Sequence, residues 1–185
     1  MRRKLTWEIS ELEKAQRELV SPSSPDAFAA LHRPMYIAAN AATTAWHMVD
    51  WLGFHIQQQD WWDRISDISS TPIRTQQSLE QWAKTNEDMR LCYAIALALK
   101  HVALRNKELE TTRIEVRGWY AFYDCGEPPH QNAERKFRMN IDISVPIGTD
   151  TVERDATEVL SGSLRWWYEL LAHFPPEEDW IPWAG

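Results

Sequence analysis

One stretch constrains the fold of this chain more than any other. Phe28, Leu31, Met35, Ala38, Ala42, Ala45, Val49, Leu52 and Ile56 follow one another at steps of three or four residues without a miss. Only an α-helix returns a side chain to the same side at that step. The spacing predicts a helix over about 26–58, with Asp26 as its N-cap. Pro34 interrupts the pattern, so the helix either starts there or kinks there. The alanines along the seam require another helix close by.

Weaker signals of the same kind surround it. Leu5, Ile9, Leu12, Gln16 and Leu19 mark a first helix over about 5–20, ended by Ser-Pro-Ser-Ser-Pro-Asp. Residues 60–72 read as a loop that can hold a short helical turn. Thr71-Pro72 then opens a helix over about 72–85 carrying Leu79 and Trp82. Asn86 caps a fourth over about 87–107, with Leu91 or Cys92, Ile95, Leu99 and Val102 inward. The period then drops to two. Ile114, Val116, Tyr120 and Phe122 mark one strand over about 111–123. Phe137, Met139, Ile141, Ile143, Val145 and Ile147 mark a second over about 135–147. A last helix is expected over about 151–174, closed by Pro175-Pro176. The expected fold is mainly α: a bundle of four or five helices with a two-stranded β-hairpin inserted before the last one. A length of 185 residues suits one domain, 1–185.

Composition narrows the function classes. A net charge of −7 argues against non-specific nucleic-acid binding by the whole chain, because phosphate contacts need a surplus of lysine and arginine. The longest apolar run, Leu91 to Leu99, is far shorter than the roughly 20 residues a bilayer requires, and no signal-peptide core is present. A cytoplasmic protein with reduced thiols is the expectation: Cys92 reads as core and Cys125 lies in a turn. Eleven tryptophans imply a thick aromatic core or rings that meet a partner. The closing "DWIPW" is either a docking peptide or a segment that folds back over the bundle, and fold-back is favoured.

Candidate chemistry concentrates on the second helix. His47 and Asp50 are three residues apart, neighbours on one helical surface and off the main seam. An imidazole beside a carboxylate can ligate a metal or act as an oriented base. His101, at the end of the fourth helix, is the available third member, with Lys100 beside it. A buried, satisfied His–Asp pair is the plainer reading. No His-Glu-x-x-His or Glu-x-x-His pair occurs, so no metal ligands are assigned and no cofactor is expected. A second candidate is the strand region. Arg113, Arg117, Trp119 and Arg138 interleave basic and aromatic residues as a nucleic-acid platform does, but neighbouring acids offset them and favour a solvated face.

The segments "AWHMVDWL", "RLCYAIALALKHVAL" and "WWYELL", with two strands before the last, resemble a group of uncharacterised bacterial proteins sharing an aromatic-His-x-x-Asp-Trp segment and a later Lys-His. The resemblance spans about 26–174 and implies an architecture without a reaction. More distantly the chain is similar to HEPN domains, helical bundles of toxin–antitoxin and phage-defence systems. Many of these are ribonucleases bearing an arginine followed at short spacing by a histidine. Arg165 and His173 have seven residues between them, one too many, and no polar residue directly follows the arginine. The chain lacks that motif. The expected function is a non-catalytic binding or interaction module in a bacterial or phage setting, with a protein partner or a second copy of itself. The alternative is a HEPN-like nuclease or metal-dependent hydrolase using His47, Asp50 and His101 between the second and fourth helices.

Overall fold

The computed structural model describes residues 1–18, 27–100, 113–121, 136–147, 150–176 and 180; for 27–31, 98–100, 113–121, 136–147 and 150–153 it describes the backbone alone. The protein is mainly helical. Six helices and three strands occur among the described residues: α1 (Arg2–Arg17), α2 (Ala27–Gln59), α3 (Trp62–Ser69), α4 (Gln76–Ala83), α5 (Glu87–Lys100), β1 (Arg113–Ala121), β2 (Lys136–Ile147), β3 (Asp150–Asp155) and α6 (Ala156–Leu171).

The long α2 is the axis of the bundle. Helices α1, α4, α5 and α6 all pack on it, and β1 and β2 lie against it. From Met35 on, its seam is the expected one: Ala38, Ala42, Ala45, Val49, Leu52 and Ile56 are buried, and Met35 packs on the core from its edge, while the side chains of Phe28 and Leu31 lie outside the described ones. Ala41 and Met48 widen that seam into a broad apolar stripe. The helix begins at Ala27 and runs through Pro34, so the proline neither starts nor ends it. Small residues on this face allow close approach. Trp167 of α6 lies fully buried, and its Nε1 donates to the Ala45 carbonyl at 3.0 Å.

Three boundaries differ from the sequence expectation, each for a local reason. Residues 62–69 are a helix rather than a loop. Ser66 Oγ donates to the Trp62 carbonyl and also bridges both backbone groups of Ile73, fixing the return of the chain. The next helix starts at Gln76, not Pro72. Thr75 accepts from Ser78 N while Ser78 Oγ accepts from Thr75 N, a reciprocal cap that outranks proline as a start signal. The last helix starts at Ala156, not 151. Residues 150–155 pair instead with 142–147, and Asp155 caps α6 by accepting from Glu158 N at 3.0 Å. Thr151 and Val152 are β-branched and fit a strand better than a first helical turn. Asn86 caps α5 as expected, accepting from Met89 N.

The strands pair antiparallel in the order β1-β2-β3, a three-stranded arrangement where two strands were expected. The connection over 122–135 and the segment 101–112 lie outside the described residues. None of the described helices is long and apolar enough to cross a membrane.

Candidate functional site

The His47–Asp50 pair lies at the surface. Along α2, Tyr36, Asn40, His47 and Asp50 are exposed and Thr43 is half-buried, again at steps of four, three, four and three. They form a second stripe on α2, facing away from the core. Asp50 Oδ1 accepts from Gln76 Nε2 of α4 at 3.3 Å. Gly53 makes that approach possible: a β-carbon there would overlap the Gln76 amide. Asp50 therefore spends a lone pair on α4, and the reading of a buried His–Asp pair is corrected to an exposed one. The helix turns these residues outward because the apolar seam occupies the opposite side.

His101 lies outside the described residues, and Lys100 is the last residue of α5, with only its backbone described. Among the described residues, no group of three His, Cys, Asp or Glu side chains could hold a metal ion. The strand candidates are placed by register alone: Arg113 opposite Ser144, Arg117 opposite Asn140 and Trp119 opposite Arg138. The same strands set Glu115 opposite Asp142 and Asp142 opposite Asp155, so acids alternate with the bases.

The exposed stripe has aromatic company. Arg33 of α2 pairs with Glu11 of α1 at 3.7 Å, and with Glu18 at 3.4 Å. Lys4 Nζ donates to Thr44 Oγ1 at 2.9 Å. These contacts make α1 and α2 antiparallel. Trp7 lies one turn before Glu11, and Tyr36 one turn after Arg33, so both stand beyond the same ion pair in the same direction along the seam. Trp7 is 61% exposed and Tyr36 64%. Two large rings left in water on two helices that pack together are unusual company for a purely solvated face.

Sequence reasoning passed over the most unusual histidine. His55 is 2% exposed, and its Nδ1 has no hydrogen-bond partner among the described residues. Its ring is enclosed by Trp51 and Phe54 of its own helix, at 5.0 and 5.3 Å between ring centres, and by Trp180 at 4.8 Å. Burial in this box pushes the imidazole below its ordinary titration range. Trp180 stacks on Trp51 at 4.5 Å and meets Trp61 and Phe174 at its edges. At Trp180, then, the closing segment folds back over the bundle. The available sequence signal was the run Trp51-x-x-Phe54-His55 itself; what covers it comes from 125 positions away.

Other chemistry-bearing groups serve the fold. Cys92 is fully buried, and burial pushes its thiol up to about 12, with the Asp88 charge adding to the shift and a Ser163 hydrogen bond opposing it. No thiolate nucleophile exists there near neutrality. Asp88 is held above the usual carboxylate range by burial, against the pull of Arg154, whose Nη2 lies 3.5 Å away. A shallow cavity of about 460 Å³ runs along α4 beside Pro72 and Trp82. Its hydroxyls are already committed: Thr75 to the helix cap, Ser78 to three backbone groups, Thr85 to the Trp82 carbonyl.

Compared with protein-family models, curated proteins and solved structures, the chain matches none.

Proposed function

We propose that this chain is a non-catalytic interaction module whose contact face is the outer side of α1 and α2. The observation that carries this reading is that Trp7 of α1 and Tyr36 of α2 are both largely exposed, with Asn40, His47 and Asp50 exposed in line with Tyr36 along α2. Aromatic rings beside hydrogen-bonding groups are what the centre of a protein interface uses: large area, few rotatable bonds and polar orientation. In this reading His47 and Asp50 are polar members of a contact stripe rather than a base and its orienting acid. A second copy of the chain is the first partner to consider.

The finer architecture belongs to the same proposal: β1 and β2, with residues 122–135 between them, form a hairpin inserted into the bundle before α6. A bacterial or phage setting, and a link to defence or toxin–antitoxin systems, rest on the family resemblance alone.

The test compares the full chain with its Trp7→Ser/Tyr36→Ser variant by sedimentation, alongside RNA and ester hydrolysis assays on the wild type and on His47→Ala. Association that is lost in the double variant, with no His47-dependent turnover, supports the module. Hydrolysis abolished by His47→Ala would move the chain to the nuclease or hydrolase reading and give Asp50, and then His101, their enzymatic roles.

A further inference from the structure

We infer that His55 and Trp180 form an acid-released latch, in which protonation of the imidazole undocks the Trp180 indole from the box of Trp51, Trp61 and Phe174.

The closed state is built from ring contacts. Trp180 is 5% exposed and touches Trp51, His55, Trp61 and Phe174. Its indole N–H donates at 2.9 Å to the Pro175 carbonyl, within its own segment. Among the described residues, α2 therefore holds Trp180 by packing and by no hydrogen bond. Packing of this kind is strong but indifferent to direction, so a change in the polarity of one wall alters the whole seat.

His55 is the wall that can change. In its neutral form the imidazole behaves as one more flat ring among aromatics. Its unpartnered Nδ1 is a standing cost, because a buried polar atom without a partner has lost its water and gained nothing. Protonation makes both ring nitrogens donors and adds a charge that has no counter-ion among the described residues. The faces of Trp51 and Trp180 attract a cation. They return only part of the hydration that a buried, unpaired charge gives up. Releasing Trp180 lets water reach the imidazolium and satisfy its donors.

No other charge intervenes among the described residues. Trp51 and Phe54 face His55 from α2 and Trp180 from the segment after α6; none of them is charged. Among the described residues, burial is what lowers its titration. Arg64 reaches Trp61, at the outer edge of the box, at 5.9 Å. Asp60 and His173, on the flanking turns, are exposed. Glu177, Glu178 and Asp179 lie outside the described residues.

The sign follows from the burial. A docked imidazole binds its proton less readily than a hydrated one, so docking is complete above the ordinary value of 6.5 and weakens as pH falls below it. Release uncovers Trp51, Trp61 and Phe174 together, which turns a filled box into an apolar slot.

The experiment is a titration of the full-length, isotope-labelled chain by NMR from neutrality to about pH 5, the range over which histidine changes charge. It follows the indole N–H of Trp180 and the ring C–H of His55. The latch requires the Trp180 signal to leave its docked position with the same midpoint as His55, below 6.5, while far-UV circular dichroism stays native. In His55→Leu, which keeps the apolar wall and removes the proton, Trp180 should stay docked throughout. The inference is overturned if Trp180 remains docked after His55 has protonated. It is equally overturned if Trp180 moves identically in His55→Leu, or if it moves only when the whole chain unfolds. The wild-type midpoints decide the matter even if the leucine variant does not fold.

Discussion

Trp167→Phe is the substitution whose cost the structure specifies best. The indole is fully buried between α6 and α2, and its N–H is bonded to the Ala45 carbonyl at 3.0 Å. Phenylalanine keeps the six-membered ring and loses the pyrrole edge. Two buried carbons at about 0.8 kcal/mol each and one net hydrogen bond at about 1 kcal/mol put the loss near 2.5 kcal/mol. Collapse of the surrounding helices would reduce it, but the alanine seam is already close-packed and has little room to follow. For a chain of this size the melting temperature should fall by about 5–10 °C. Urea unfolding followed by circular dichroism gives the number directly. The control is Trp7→Phe, on the exposed side of α1, which should stay within about 0.5 kcal/mol of wild type. A Trp167→Phe loss no larger than that of Trp7→Phe would refute the reasoning, since it would mean that the indole is not seated against α2.

Other expected outcomes follow from the same geometry. Asp155→Ala removes the side-chain cap of α6 and should cost about 1 kcal/mol, read as a lower urea midpoint with an unchanged slope. His47→Ala and Asp50→Ala, both at exposed positions, should each leave stability within about 0.5 kcal/mol, whereas a buried His–Asp pair would lose several times that. Cys92 should resist a thiol reagent in the native state and react on unfolding, measured in Cys125→Ser so that one thiol is counted. Asp88 is raised in the folded state, so the unfolded chain gives up its proton first as pH climbs from 3.8. Stability should therefore fall with rising pH through that window, and Asp88→Asn should flatten the slope.

The sequence was legible where structure is local and periodic. The α2 seam could be followed residue by residue because a helix repeats its environment every turn, and Asn86 capped α5 as a short polar residue before an apolar run should. The offset of His47 and Asp50 from the seam was also legible, and it points to the surface rather than to a buried pair. Boundaries failed where two local signals competed. Thr71-Pro72 looked like a start, but the Thr75–Ser78 cap won. Val152 fitted a helical step, yet pairing with Val145 claimed it for β3. The His55 box was not legible, because its lid, Trp180, and its floor, Trp51, are far apart in the chain and no periodicity links them. Trp61 and Phe174 enter it from two further elements.

If the outer side of α1 and α2, with His47 and Asp50 in it, is a contact face, its exposed rings must drive association. Sedimentation of the wild type beside Trp7→Ser/Tyr36→Ser tests it most directly. The wild type should self-associate with rising concentration, and the double variant should stay monomeric at an unchanged melting temperature. Association that survives the double substitution, or a monomeric wild type showing hydrolysis that depends on His47, would contradict it.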